Sequence, residues 1–444
     1  MPHSEHSEDD TIAIVGGGIG GLCTAIGLHT HDIPITIYEA AAEFSEIGAG
    51  VSLGPNASKA MKLLHPAVWK GYEKVRTNNV WPSHQKLWFT FRQGDAGSEY
   101  PEGKKIFEMA CPTGQTSVHR ASFLNELIAL IPDGISHFGK RLVNITESPS
   151  NVVLHFADGT SARHSAVICC DGIKSTARPI VLGQDHPAAY PVFTGKYAYR
   201  GLIPMSLAIE SIGPELAQNS QQYLGHGGHI LTFPIENGKT LNCVAFSTAA
   251  DPTQPRQDSS TKQHQKASKP NWITPTNHAT LLSEFSSKTW SSIPLTLLSL
   301  MSIREKWSLY DHPPAPSYTS QNGLICLLGD AAHASTPHNG AGAGMAIEDA
   351  LVISKLLGAV VTLNGERIRK AFRVYQEVRI KRTQKQVRTA REFGLVYDFQ
   401  DPWAGDDLGR VQEKLERSKK WLWNYDIEKE EIERGIRRLG EVHG

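Results

Sequence analysis

Two short runs of β-branched and apolar residues, Thr11 to Val15 and Ile33 to Tyr38, flank a stretch in which Leu22, Ala25, Ile26 and Leu28 recur at helical spacing. Unbroken apolar runs of this length suit strands buried on both faces, and the stretch between them suits a helix laid across those strands. The pattern returns late in the chain, where Leu324 to Leu328 is a short apolar run and Met345, Ile347, Leu351 and Leu356 follow at helical spacing. Alternation of strand and helix predicts an α/β unit with a parallel sheet. The middle of the chain reads differently. Val152 to Phe156 alternates, Asp158-Gly159 is a hairpin signal, and Ala166 to Cys170 is the expected return strand. From Val192 to Ser247 the pattern is strand-like, with Ile230 to Ile235, Glu236-Asn237-Gly238-Lys239 and Thr240 to Ser247 forming one hairpin, so a mostly antiparallel sheet is predicted. Ala249 to Pro275, rich in Pro, Ser, Gln, Lys and Thr, is predicted to be an exposed, poorly ordered insertion, after which Leu281 to Met301 and Ile303 to Tyr310 return to helix and strand patterns. Asp407 to Leu439 places Lys, Arg and Glu around Trp421, Leu422, Trp423 and Tyr425; a helical tail packed on its own chain is predicted, with a dimer or membrane-surface contact as the alternative.

At 444 residues the chain exceeds one ordinary domain, and two are expected. Its 45 Lys and Arg balance 45 Asp and Glu, with no basic stripe, which argues against nucleic acid as a partner. Met1 to Asp10 is polar and acidic, unlike a secretory signal, and no run reaches the roughly 18 apolar residues of a membrane span, so a cytoplasmic protein without a transmembrane anchor is expected. Cys23, Cys111, Cys169, Cys170, Cys243 and Cys326 lack metal or disulfide spacing and read as reduced, mostly buried thiols; no metal is expected.

Candidate chemistry sits where strands end. Gly16-Gly17-Gly18-Ile19-Gly20-Gly21 joins the first strand to the first helix: Gly16 permits the turn, Gly18 lets a pyrophosphate approach the backbone, and Gly21 lets the helix pack closely on the strand. Glu39, 18 residues beyond Gly21 at the end of the second strand, is placed for the hydroxyls of an adenosine ribose. Asp330 emerges after Leu324 to Leu328 at a strand's carboxyl end, where it can accept hydrogen bonds from a sugar-like chain, and the helix beginning near Gly340 points its positive end at the same place. Asp171-Gly172 repeats the strand-end acid and is followed by Ile173 to Arg178.

These three signatures, in this order, resemble the FAD-dependent aromatic hydroxylases typified by p-hydroxybenzoate and salicylate hydroxylases, over roughly Thr11 to Arg388. Tyr197-Ala198-Tyr199-Arg200-Gly201-Leu202 and the long charged tail look like the fungal salicylate-hydroxylase-like branch that modifies polyketide phenols. The resemblance implies an α/β fold: a Rossmann-like FAD-binding domain (1–79, 107–185, 316–395) interrupted by a mostly antiparallel β-sheet substrate domain (80–106, 186–315), with C-terminal helices over 396–444. It implies FAD as cofactor, NADPH or NADH as a transient electron donor because a second nucleotide fingerprint is missing, molecular oxygen, and a phenolic substrate hydroxylated through a C4a-hydroperoxyflavin, with dearomatisation a possible outcome. Decarboxylative hydroxylation of a salicylate is one alternative; a flavin-dependent dehydrogenase or oxidase and a non-catalytic flavin-fold binding protein are others. Oligomeric state is left open.

Arg200 is the main candidate for substrate activation, because a guanidinium beside a phenol stabilises its phenolate. Phe233 faces the same cavity where a hydroxyl-bearing aromatic would help hold the ring, which leaves Tyr223 or Tyr199 as substitutes. Arg120, Asp171, Asp330, Gly342, Ala343 and Gly50, the last within Ala49-Gly50-Val51, are expected on the cofactor side. His333 and His338 invite an acid–base role, but packing or hydrogen bonding is the preferred reading. Ala334 and Asn339 depart from the Pro and Gln common in the family. Arg379-Ile380-Lys381-Arg382, anchored by Tyr375, is expected to be a solvated or structural helix face.

Overall fold

A computed structural model describes residues 11–44, 50–95, 103–249, 271–286, 290–360 and 364–440. Five parallel strands form the first sheet in the order Ile325–Leu327, Ala166–Cys169, Ile12–Val15, Ile35–Tyr38 and Ser136–His137. Ile12–Val15 and Ala166–Cys169 are buried throughout, as a sheet covered on both faces requires. The glycine turn after the first strand has two positions that exclude a side chain. Gly16 has φ +105°, and a Cβ there would fall 2.4 Å from the Cys170 carbonyl oxygen; a Cβ on Gly21 would fall 1.9 Å from the Gly16 carbonyl oxygen. These two contacts bring the helix Ile19–His29 against the strand.

Eight strands form the second sheet, in the order Ile273–Pro275, Glu305–Asp311, Val192–Pro204, Thr240–Thr248, Gly228–Ile235, Gln221–Gly225, Leu87–Gln93 and Lys105–Ala110. All pairings are antiparallel except that of Gln221–Gly225 with Leu87–Gln93. The strand Lys105–Ala110 runs straight through position 106, where the sequence placed the chain's exit from this sheet. The helices His278–Ser286 and Ser292–Leu300 pack Leu281, Phe285, Leu297 and Leu298 against Tyr199, Tyr223 and Ile230, closing one face of the sheet.

Two local readings change. The hairpin strand paired with Val152–Phe156 is Ser161–His164, not Ala166 to Cys170. Ser-Ala-Arg-His alternates exposed and buried residues, as a sheet with one wet face requires, whereas Ala166–Cys169 is apolar on both faces and joins the parallel sheet. At the end of the expected insertion, Ile273–Pro275 pairs with Glu305–Trp307 as an edge strand, which accommodates Pro275; residues 250–270, the bulk of that expectation, lie outside the described residues, as do Ala49 and Met1 to Asp10.

The 33-residue helix Gly365–Tyr397 crosses from one sheet to the other. The tail, Leu408–Trp423 followed by Glu428–Glu433 and Arg434–Gly440, packs on its own chain: Trp423 meets Trp88 with ring centroids 5.4 Å apart, and Leu422 is buried. All six cysteines are free. Among the described residues no helix is long and apolar enough to cross a membrane.

Candidate active site

A cavity of about 340 Å³ opens between the two sheets, within the size range of small-molecule sites. One wall is the backbone of strand ends and helix starts: Gly18, Ile19 and Gly20, then Leu328 to Asp330, then Gly340 to Ala343. The helices Ile19–His29 and Gly342–Gly358 both begin here, with Gly18 and Ala341 as N-caps and no side-chain hydrogen bond to either first turn. Because a helix start leaves its first amides without intrahelical partners, two such starts make this wall a receptor for anionic and hydrogen-bonding groups. Asp330 lies among them, its carboxyl raised by burial, with the charges of His333 and Arg120 opposing. Arg120 is the first residue of the helix Arg120–Ile128, where a cation works against the helix dipole; it lines the cavity, and its charge reaches both Asp330 and Arg200.

The opposite wall is one face of the eight-stranded sheet. Register places Arg200 beside Val244 and Val244 beside Leu231; one row along, Leu202, Asn242 and Phe233 are neighbours, and on the other side Ala198, Phe246 and His229. Arg200, Val244, Leu231, Phe233, Asn242 and Phe246 all line the cavity. The Arg200 guanidinium lies over Trp307, 5.6 Å from the ring centroid, and has no carboxylate partner among the described residues. Burial, and secondarily the charge of Arg120, pull it below its ordinary pKa. Gly50 bridges the two walls: its backbone N–H donates to Asn242 Oδ1 at 3.3 Å, and a Cβ would sit 2.7 Å from the Phe233 ring.

Orphaned polar atoms gather at this cavity. Gln222 Nε2, Asn242 Nδ2, Thr336 Oγ1, Asn339 Oδ1 and both ring nitrogens of His338 are buried without a hydrogen-bond partner among the described residues, and all five residues line it. Buried polar atoms are almost always paired, so such a concentration marks a place where a ligand completes the bonding.

Of the residues expected from sequence, Gly18, Gly50, Arg120, Arg200, Phe233, Asp330, Gly342 and Ala343 are brought together here. Gly16 and Gly21 shape the turn behind the cavity. Glu39 lies outside the lining and accepts from Gly17 N–H at 2.6 Å and Ala41 N–H at 2.8 Å. Tyr199 and Tyr223 do not reach the cavity. Successive strand residues face opposite ways, so Arg200 on the cavity face puts Tyr199 on the helix-covered face, where its hydroxyl donates to Glu284 at 2.5 Å, and Gln222 does the same to Tyr223. Asp171 is also redirected. Its carboxylate accepts from Thr176 N–H at 2.8 Å and Ala177 N–H at 3.1 Å, bracing its own turn, while Cys170 and Gly172 on either side line the cavity. His333 hydrogen-bonds Asp349 at 2.5 Å, whereas His338 faces the cavity.

Sequence reasoning missed Trp88, Gln222, Asn242, Val244, Phe246 and Tyr397. The hairpin register that places Phe233 opposite Asn242 could have found the neighbouring Val244 and Phe246 by parity. Nothing local marks Tyr397, at the far end of a long helix. Lys419 of the tail also supports the wall: its ammonium donates to the Asn339 carbonyl at 2.7 Å among the rings of Trp88, Trp423 and Phe393, and burial pulls its pKa down to about 7.

A nucleotide-type glycine turn, a second uncapped helix start and a sheet-walled cavity carrying an arginine without a carboxylate partner among the described residues define a dinucleotide-dependent enzyme with a small-molecule site. Residues 310–390 match the family model described as an FAD binding domain. Over 425 residues the chain is 43% identical to the 6-methylsalicylate 1-monooxygenase atA of Aspergillus terreus, covering 95% of this chain and 90% of that protein. It is 37% identical over 444 residues to a salicylate hydroxylase of Pseudomonas putida, covering 97% and 95%. A solved salicylate hydroxylase substrate complex superposes with a TM-score of 0.81 at 33% identity, covering 97% of this chain and 98% of that one. The chain belongs to the FAD-dependent aromatic hydroxylases and is an FAD-dependent monooxygenase.

Proposed function

We propose that the chain hydroxylates a phenol carrying an anionic group beside its hydroxyl, the salicylate class, with decarboxylation where that group is a carboxylate on the attacked carbon. The carrying observation is Arg200: an exposed guanidinium lining the cavity, without a carboxylate partner among the described residues, beside Leu231, Phe233, Val244 and Phe246 of the same wall. A carboxylate or phenolate completes its charge with charge-assisted hydrogen bonds, and stabilising the phenolate raises the electron density of the ring to be attacked. The relatives named for 6-methylsalicylate and salicylate support the ortho-carboxylate.

The cofactor fits the opposite wall. Gly18 to Gly20 would take the pyrophosphate, Glu39 the adenosine ribose, Asp330 and Arg120 the connecting chain, and Gly50 with Gly342 and Ala343 the flavin edge. Bound FAD supplies two-electron reduction by NADPH or NADH and activation of dioxygen; one oxygen atom enters the ring and the other leaves as water. The protein's residues hold the ring over the sheet, neutralise its charge at Arg200 and exclude water with the aromatic wall.

The test is anaerobic flavin reduction by NADPH and by NADH, with and without salicylates and resorcylic aldehydes, followed by product and CO₂ analysis in air. Acceleration by a salicylate with CO₂ release is expected. A retained carboxylate in the product, or a non-aromatic dienone, removes the decarboxylative step. Reduction equally fast without any phenol overturns the proposal.

A further inference from the structure

Gln222, on the strand Gln221–Gly225, has no task in the proposed chemistry. It is 2% exposed and lines the cavity, and its amide Nε2 has no hydrogen-bond partner among the described residues. Its surroundings on that face of the sheet are apolar: Leu231 is its neighbour on one adjoining strand, Phe91 on the other, and Leu224 follows two residues on, facing the same way. An amide N–H buried among such side chains loses its water and gains no bond in return, which costs stability in the free protein.

The other orphaned polar atoms of the cavity have different neighbours. Thr336, His338 and Asn339 belong to the segment leading to Gly340, across from the sheet. Asn242 is tied to the expected cofactor side through the bond that its Oδ1 accepts from the Gly50 N–H. Gln222 is set apart by its alignment with Arg200. Register runs from Gln222 to Leu231, from Leu231 to Val244 and from Val244 to Arg200, so these residues form one row across the sheet, and all of them line the cavity. Neighbouring strands lie about 4.8 Å apart, which puts Gln222 roughly 14 Å from Arg200 along the row, backbone to backbone. Leu231 and Val244 form the apolar floor between them. A flat ring resting on that floor turns one edge to the guanidinium and the opposite edge to the amide. With only carbon on that far edge the Gln222 N–H stays unpaired; with an oxygen there, the bond is made in a site where the absence of a partner is costly.

Resting on the salicylate-class reading, we propose that Gln222 is a specificity-determining residue and that the substrate carries a second ring oxygen, a hydroxyl, on the edge opposite the group held at Arg200. The Gln222 N–H donates to that hydroxyl oxygen. A single anchor lets the ring pivot about Arg200; a second anchor on the far edge stops the pivot and fixes which carbon faces the cofactor wall.

The experiment measures dissociation constants on FAD-loaded protein, from the perturbation of the flavin spectrum, for salicylate, 2,4- and 2,5-dihydroxybenzoate, and 4- and 5-methylsalicylate. The first dihydroxy acid places its added oxygen opposite the carboxylate and the second opposite the salicylate hydroxyl; the methyl compounds fill the same space without an oxygen. One dihydroxy acid should bind the wild type about tenfold more tightly than its methyl counterpart, the worth of one net buried hydrogen bond. Gln222→Met, close in volume and without the amide, should reverse that order. The ligand-free variant should also be no less stable to denaturant than the wild type, because it removes a buried N–H that has no partner among the described residues. A wild type that prefers neither dihydroxy acid over its methyl counterpart, or a preference that survives Gln222→Met, overturns the inference and leaves the salicylate reading intact. A variant that is less stable, or that does not fold, overturns it as well, because the amide is then needed within the protein. If none of the five acids binds, the salicylate reading falls and the inference falls with it.

Discussion

Two buried polar clusters flank the helix Gly342–Gly358, and they are built on opposite plans. In the first, Arg379 donates to Asp349 at 2.7 Å and to Glu348 and Glu431 at 2.8 Å, and Arg382 adds two bonds of 2.8 Å to Glu348. Asn56, His333 and the Gly329 N–H complete the two helix carboxylates. Nearly every donor meets an acceptor, and the bonds tie the helix Gly342–Gly358, the long helix Gly365–Tyr397, the Gly329 turn and the tail into one body. In the second, around the cavity, Asn242, Gln222 and His338 are buried with atoms left unmatched among the described residues, and Arg200 lines the same cavity without a carboxylate partner among them. The difference teaches that burial of charge alone does not mark a site; what marks it is bonding capacity the fold leaves open.

Breaking the closed cluster should have the largest effect. Arg379→Ala strands three carboxylates and should cost about 3–5 kcal/mol of stability, read by chemical denaturation. A loss below about 1 kcal/mol would show that the cluster is not what joins tail to body.

The same cluster should respond to acid. Burial works to raise the Glu348 and Asp349 carboxyls, but Arg382 and Arg379 for the first, and His333 and Arg379 for the second, pull both down to about 2. Folded pKa values below the unfolded ones mean that the unfolded chain binds more protons in acid. Their contribution is therefore complete above the unfolded carboxylate range, near about 4, and is lost as pH falls toward 2, on the order of 2–3 kcal/mol for each. Denaturation midpoints at pH 5 and pH 3 check the sign; equal midpoints would contradict it.

The open cluster should show the reverse. Arg200→Ala should lower kcat/KM about 100-fold, roughly 2.7 kcal/mol of transition-state stabilisation, with a stability change within about 0.5 kcal/mol. Arg200→Lys should recover only part of the rate, since an ammonium lacks the planar fork.

Smallest are the two tyrosines on the covered face of the sheet. Tyr199→Phe should cost about 1 kcal/mol of stability through the lost bond to Glu284. Tyr223→Phe, which removes a buried hydroxyl without a partner among the described residues, should be neutral or slightly stabilising. Neither should change KM; a several-fold rise in KM for either would return it to the substrate site.

Much of this was legible in the chain because it depends on near neighbours. The turn Gly16 to Gly21, the strand before it and the helix after it are set by residues within a few positions, and so is the helix start at Gly342. Legibility fails where two positions look alike locally. Asp171 and Asp330 both follow an apolar strand, yet the Asp171 carboxylate meets the Thr176 and Ala177 amides of its own turn, while Asp330 begins a short helix at the cavity. Arg379 and Arg382 look like any solvated helix face until the helix Gly342–Gly358 and the tail close over them.

The sequence by itself determined the nucleotide-type turn, the α/β frame around it and the arginine opposite, because spacing and backbone freedom are local properties. Which face of each strand became the cavity wall was decided only when strands far apart in the chain paired. Register at Arg200 and Val244, and at Phe233 and Asn242, sends one set of side chains inward and sends Tyr199 and Tyr223 to the other side. A side chain's direction in a sheet reverses with each residue, so a single step of register, invisible in the sequence, separates a wall of the site from the core behind it.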